Sequence, residues 1–330
     1  MLVCPPALTH ESLPRFLRVL HLASELQSEQ IDLDCSALRF VDPMGLCLLH
    51  HWFHDLQDKG RQVRLNNLPL QIESFLARMD LFQGIECVQY DNRTGGYQRN
   101  DLTGHAIEVT TVRDTESIDV AAARVAAAVV FGIPDIDRTP DPDGMVAPPA
   151  EQFTELLEYV FSEILANTMQ HGRRRGWNHA HATVAAQYYP SRGKLAVAIL
   201  DNGCGLLETL QTHSAMEGDR SHEKAIEIAL RPRVSSNRDG ELGLDMRNQG
   251  IGLTVSTRIA LASQGQFGVF SGTGWRKANS NGPTASKAIP FWQGTGVYLE
   301  FDRSTMGLVH KHVIVRELPG FQEVGALTFG

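Results

Sequence analysis

Apolar residues recur at helical spacing between residues 11 and 27, at Leu13, Phe16, Leu17, Leu20, Leu22, Ala23 and Leu26, and a strand-like run from Ile31 to Leu38 follows. Pro43 stands where a proline is tolerated in the first turn of a helix, and the helix it opens extends to Lys59, with Gly60 ending it. Gln62 to Leu65 alternates as a short strand, and Pro69 to Phe82 returns to helical spacing. This order of strand, helix, strand, helix predicts an α/β layer over residues 1–92.

The polar, glycine-containing run DNRTGGYQRND from Asp91 marks a connection, placed at residues 93–104, and a second domain is expected over 105–330. That domain opens with a strand candidate, His105 to Val112, and an alanine-rich helix, Ser117 to Val130. The stretch Pro134 to Pro149 is dense in Pro and Asp and reads as a loop between helices. A long helix from about Ala150 to His171 turns Phe153, Leu156, Leu157, Val160, Ile164 and Leu165 towards a core. Strands are expected at Ala180–Tyr189 and Lys194–Leu200, a helix at Leu253–Ala262, and closing strands at Gly265–Ser271 and Gly296–Phe301. Between Gly205 and Gly250 strand signals are absent, and Glu223–Leu230 is the one clear helix.

Composition narrows the setting. The 330 residues are 42% hydrophobic and 21% charged, as in a soluble globular protein, and the length suits two domains. A net charge of −8 provides no overall field to attract nucleic acid or an anionic membrane. Cys4, Cys35, Cys47, Cys87 and Cys204 are odd in number and scattered without a C-x-x-C pair, which fits a reducing cytoplasm and argues against a zinc site. The opening MLVCPPALTHESL lacks a basic region followed by an apolar run, so no signal peptide is expected. The apolar stretch Val120–Pro134 is interrupted by Arg124 and is too short to span a bilayer.

Three segments carry candidate chemistry. Glu163, Asn167 and His171 are four residues apart in FSEILANTMQHG, so successive side chains are offset by ~40° and rise ~6 Å along one helix face. An amide oxygen is a suitable hard ligand for magnesium, and a carboxylate one turn away can orient or deprotonate a nucleophile. Taken alone, the same stripe is also what a solvated helix face looks like. In VAILDNGCGL an apolar strand ends at Asp201, with Gly203 and Gly205 after it. A carboxylate fixed at a strand end can accept hydrogen bonds from a base's exocyclic amine, and glycines let backbone approach a ring or phosphate; an ordinary strand-to-turn connection has the same look. In RNQGIGL, Gly250 and Gly252 lead into the helix from Leu253, a candidate anion site that is equally a plain helix start. The sequence contains neither a G-x-x-x-x-G-K-[ST] loop nor a G-x-G-x-x-G after a strand.

Taken in order, these segments resemble the GHKL superfamily of gyrase-type topoisomerases, mismatch-repair proteins, heat-shock chaperone ATPases, histidine kinases and anti-sigma-factor serine kinases. The N box corresponds to Glu163–His171, the first glycine box to Asp201–Gly205, and the second to Gly250–Leu253, while QGTGVYLEF with Gly294 and Thr295 resembles the later G-T element. The resemblance covers roughly residues 105–302 and implies a Bergerat-type two-layer α/β sandwich, a mixed sheet covered by helices. It implies an ATP site in which Asn167 holds Mg²⁺, Asp201 reads the adenine amine with Thr295 in support, and His171, Gly203, Gly205, Gly250, Gly252 and Leu253 line the nucleotide. It further implies an ATP lid over about 206–249 and Glu163 as candidate general base. Gln170 stands where many histidine kinases carry a basic residue, and no phosphorylatable dimerisation helix precedes the domain, so the chain looks closer to the anti-sigma serine-kinase branch.

The segment IDLDCSALRFVDPMGLCLL is similar to the central motif of STAS domains, with Asp42, Gly45 and Leu46 matching, and IESFLARMDLFQGI is similar to their last helix. Pro43 and Met44 occupy the serine positions, which implies a docking or dimerising role without phosphorylation there. His50, His51 and His54 invite a metal reading on one helix face, against a partly exposed face as the plainer one, and Arg173–Arg175 reads as a solvated turn or a phosphate contact. The resemblances together imply a Mg-ATP-binding regulatory ATPase that couples nucleotide state to a protein partner. A serine kinase acting on a separate STAS-like protein and a non-hydrolysing ATP-gated module are the alternatives, and a homodimer is compatible with each.

Overall fold

The computed structural model describes residues 1–93, 102, 104–131, 133–134, 136–140, 143, 146–167, 172–173, 176–231, 252–284 and 288–306. The N-terminal unit runs β1 (Leu2–Val3), β2 (Ala7–Leu8), α1 (Leu13–Glu25), β3 (Gln30–Asp34), β4 (Phe40–Val41), α2 (Pro43–Asp58), β5 (Gln62–Asn66), α3 (Leu70–Arg78) and β6 (Val88–Gln89). Its sheet has the order β1-β3-β5-β6, every pairing parallel, with Ile31 opposite Val63 and Leu33 opposite Leu65; β2 and β4 form a separate parallel pair. The alternation in QIDLD and QVRLN buries Ile31, Leu33, Val63 and Leu65. At α2 the sequence supplies both start signals. Asp42 caps the helix by accepting from the Gly45 amide at 2.9 Å, worth about 1 kcal/mol, and Pro43 occupies the first turn where no amide is needed.

The second unit runs β7 (Ala106–Val112), α4 (Thr115–Val130), α5 (Pro149–Asn167), β8 (Ala182–Tyr189), β9 (Lys194–Asp201), α6 (Leu206–Leu210), α7 (His222–Ala229), α8 (Gly252–Ala262), β10 (Gln266–Gly272), β11 (Gly274–Asn279), β12 (Gly282–Thr284), β13 (Trp292–Asp302) and α9 (Arg303–Met306). Seven strands form one sheet in the order β12-β11-β10-β13-β9-β8-β7. The α/β sandwich expected from the sequence is present, but every pairing in this sheet is antiparallel, not mixed. The hairpin strands β11 and β12 went unread because GWRKAN and GPT are too short and polar to show alternation. The segment expected as an ATP lid starts as folded structure: α6 and α7 close a small core of Leu210, Met216, Ala225 and Ile228, and residues 232–249 lie outside the described residues.

Strand parity distributes the sheet between two cores. On β9, Leu195, Val197 and Ile199 face the layer of α4, α5 and α8, whereas Ala196, Ala198 and Leu200 face the N-terminal unit. The helix seated on that second face is α2, whose buried residues run from Pro43 through Phe53 without a break and end with Leu56. A helix buried all round belongs between two layers. Ala185, Ala196 and Ala198 are small enough for α2 to lie close, so that the Cys47 thiol reaches the carbonyls of Thr183 at 3.7 Å and Ala198 at 3.8 Å. The two units expected as separate domains therefore share one apolar core.

Candidate functional site

Helix α5 carries Glu163 and Asn167 on one stripe, yet the two meet different surroundings. Asn167, the last helical residue, is exposed, whereas Glu163 is buried with 5% exposure. Its carboxylate accepts from the Tyr159 hydroxyl at 2.5 Å and from the Gly252 amide at 2.6 Å. That amide belongs to the first residue of α8, so Glu163 neutralises an otherwise orphan helix-start donor and sits at the positive end of the helix. The solvated stripe is thus not what the structure has at Glu163. Burial, together with the hydrogen bond to Glu163, raises the pKa of the Tyr159 phenol well above its ordinary value.

Asp201 ends β9. The ladder between β9 and β13 stops at the Leu200–Gly296 pair, and one step further the Asp201 side chain takes over from backbone pairing. Its Oδ1 accepts from the Thr295 amide at 3.1 Å and from the Gly203 amide at 2.8 Å. Two backbone donors on one oxygen fix the carboxylate's orientation. The Gly294–Thr295 segment is therefore joined to the Asp201–Gly205 turn through Asp201. On the other flank the Cys204 amide donates to Gly172 O at 2.9 Å, linking the Asp201–Gly205 turn to the turn after α5.

The glycines have an internal reason that the sequence did not show. A methyl at Gly203 would lie 2.6 Å from Gly172 Cα, and one at Gly252 would lie 2.7 Å from Glu163 Cβ and 2.9 Å from Val160 O. Close backbone packing demands glycine at both positions, whether or not a ligand also approaches them. Gly205 precedes α6 with φ of 82°, a conformation suited to glycine, and its neighbour Leu206 donates from its amide to Ser271 Oγ. Leu253 is half-buried in the first turn of α8. His171 and Gly250 lie outside the described residues. Of the arginines that follow α5, Arg173 spends its guanidinium on the carbonyls of Ala180 and Arg113, each at 2.8 Å, which ties down the turn.

Behind this site lies a group of side chains that sequence reading did not assemble. His50 and His51 are buried, which corrects the expectation of a partly exposed helix face. His51 Nε2 is 3.1 Å from Leu200 O, its ring stacks on His181 with centroids 4.7 Å apart, and Trp292 meets it edge-on at 6.1 Å. Desolvation, with Arg113 and neighbouring histidines adding repulsion, lowers His50 to about 3 and His181 to about 4; desolvation and the neighbouring histidines hold His51 well below its ordinary value. Among the described residues no cluster is arranged to hold a metal, so the metal reading of HHWFH is not supported there.

The STAS-like motif is engaged in the same interface. Asp42 is 2% exposed; its Oδ2 accepts from the His10 amide at 2.9 Å and lies 3.0 Å from His10 Nδ1. Burial alone would lower the His10 pKa, but its hydrogen bonds to Asp42 and Glu11 raise it to about 9. The His10 ring lies flat on Tyr298 of β13, centroids 3.7 Å apart, and Glu11 pairs with Lys277 of β11. The motif by which this unit was expected to dock is docked within the chain.

Residues 7–86 match the family described as Mlab, STAS domain, so the N-terminal unit is STAS-like. No curated protein matches the chain. Among the described residues no helix is long and apolar enough to cross a membrane.

Proposed function

We propose that the second unit binds Mg-ATP and that nucleotide state governs binding of a partner protein. The reading is supported by one observation above the others: four segments distant in sequence are joined at one end of the sheet. The turn after α5 meets Gly203 and Cys204, Asp201 meets Thr295, and Gly252 meets Glu163. The described residues suit the nucleotide. Asp201 is a carboxylate of fixed orientation, the acceptor that an exocyclic amine requires, and Asn167 is an exposed amide that can serve as a magnesium ligand. Bound ATP would supply the phosphate charge that distinguishes one state from the other; this chain's part is to bind and orient it. The STAS-like unit supports a regulatory role, since such domains commonly mediate protein–protein interaction.

The geometry of Glu163 favours a second reading, in which ATP is a switch ligand that is not cleaved. A general base must reach the proton it removes, and this carboxylate is buried and bonded to Tyr159 and to the α8 start. Titration calorimetry with Mg-ATP is the test of binding. Asp201→Asn is expected to weaken affinity about 100-fold, within the range for losing a charged partner in a buried site, with the fold retained; unchanged affinity refutes the site. Phosphate release separates the readings: if Glu163 is the base, Glu163→Gln abolishes turnover while binding persists. If the wild type retains ATP intact over hours, the switch stands. A labelled partner protein would instead identify a kinase.

A further inference from the structure

We infer that the STAS-like unit acts on the candidate nucleotide site through α2, with His51 as the positioning residue for the strand end that carries Asp201. The inference rests on the nucleotide reading for its consequence, and on geometry alone for its mechanism. Three consecutive residues, the last two of β9 and the one after, are each held by one of three residues whose rings are in contact. His51 Nε2 donates to Leu200 O at 3.1 Å, Trp292 Nε1 donates to Asp201 O at 3.1 Å, and the His181 amide donates to Asn202 Oδ1 at 3.0 Å. The rings of His51 and His181 are parallel within 12°, and Trp292 stands against His51 at 88°.

Of these three holds, only that of His51 comes from the N-terminal unit. Leu200 O can only accept, so the ring nitrogen facing it carries the proton, and the neutral ring has its proton on Nε2. Among the described residues the other nitrogen, Nδ1, is buried without a hydrogen-bond partner. The ring therefore has one tautomer and one orientation, set by the seating of α2. Moving α2 away from β8 and β9 would leave Leu200 to its strand pairing with β8 and β13 and so loosen the next residue, whose side chain organises the Gly203 and Thr295 amides. A ligand that needs Asp201 in this position and the docked α2 stabilise the same arrangement, so each strengthens the other.

The experiment compares the full chain with His51→Leu, which removes the donor, and His51→Gln, whose amide nitrogen can replace Nε2. Trp292→Phe removes the neighbouring hold from a half-buried position. Hydrogen exchange at the Gly203 and Thr295 amides and calorimetric titration with Mg-ATP are measured on each. His51→Leu is expected to speed exchange at those two amides and to weaken Mg-ATP about tenfold, the loss of one hydrogen bond. His51→Gln restores both, and Trp292→Phe speeds exchange at the same amides. Unchanged exchange at Gly203 and Thr295 in His51→Leu overturns the inference, as does failure of the glutamine to restore it. If His51→Leu does not fold, slow exchange at both amides in Trp292→Phe, or fast exchange in His51→Gln, overturns it. A wild-type chain that takes up no Mg-ATP would remove the nucleotide reading, while the exchange data still decide the role of His51.

Discussion

Acidification from about pH 7 to about pH 5 is expected to lower the protein's stability by several kcal/mol, with the loss beginning near the ordinary histidine pKa of about 6.5. His50 and His181 are held down to about 3 and about 4, and His51 well below its ordinary value, by burial between α2 and the sheet. The unfolded chain protonates them near 6.5 and the folded chain does not, so below that pH unfolding takes up protons and stability falls. Each group costs about 1.4 kcal/mol per pH unit, or about 2 kcal/mol at pH 5. His50 and His181 together cost about 4 kcal/mol, a large share of the total stability of a marginal domain, and His51 acts in the same direction. The groups facing them offer little relief. Arg113 repels the charged form, His54 is itself lowered by burial, and Asp58 gives only weak attraction. His10 acts at the other end: raised to about 9 by Asp42 and Glu11, it stabilises fully below 6.5, and that contribution is lost as pH rises through about 9. Melting temperature followed by circular dichroism should peak near neutrality and drop steeply towards pH 5. A flat profile between about pH 7 and about pH 5 would show that these histidines do not stay neutral.

Much of the N-terminal unit was legible because its signals are local. Alternation in Gln62–Asn66, the Asp42–Pro43 helix start and the periodicity of α1 each follow from neighbouring residues. In the second unit, the apolar runs of β8 and β9 were readable, and so was the helix before Asn167. What was not legible depends on long-range contact. No local rule says that Ala185, Ala196 and Ala198 receive a helix from another part of the chain; alanine reads as neutral in a strand. HHWFH carries no local sign of burial, because histidine is intermediate between core and surface and the partners that accommodate His50 and His51 are 133 and 149 residues away. The signal that was available lay in α2 itself: Met44 to Phe53 has almost no residue suited to water, which an amphipathic helix on one sheet would need.

The spaced glycines show the same limit in another form. Their spacing was read as room for a ligand, and Gly203 and Gly252 prove to make room for Gly172 and Glu163. Both demands can fall on one residue, so the spacing identifies the segments that converge without saying what fills the space between them. The Asp201–Thr295 and Glu163–Gly252 contacts carry more weight, because they join chemistry-bearing groups across 94 and 89 residues of chain.

A shared core predicts shared unfolding. Leu33, on β3 in the N-terminal sheet, is 1% exposed and belongs to the same cluster as Ala198 and Tyr298 on the second sheet. Leu33→Ala is expected to cost about 2–5 kcal/mol through lost burial and a residual cavity. If the units were independent, calorimetry would resolve two transitions and the substitution would move only one of them. With α2 common to both, undocking the N-terminal unit strips the cover from Ala196, Ala198, Leu200 and Phe270, and separating that face from α2 exposes the helix on its other side. Neither half-structure can bury what it exposes, so partial unfolding is penalised and the whole chain melts together. The expected result is one heat-absorption peak in the wild type and one, at lower temperature, in Leu33→Ala, with far-ultraviolet and tryptophan signals changing in step. Val197→Ala, placed on the opposite face of β9 against the α5 layer, should shift the same single peak. A second peak that stays in place in Leu33→Ala would mean that α2 rests on the sheet without being part of its core, and would remove the physical basis for coupling the STAS-like unit to Asp201.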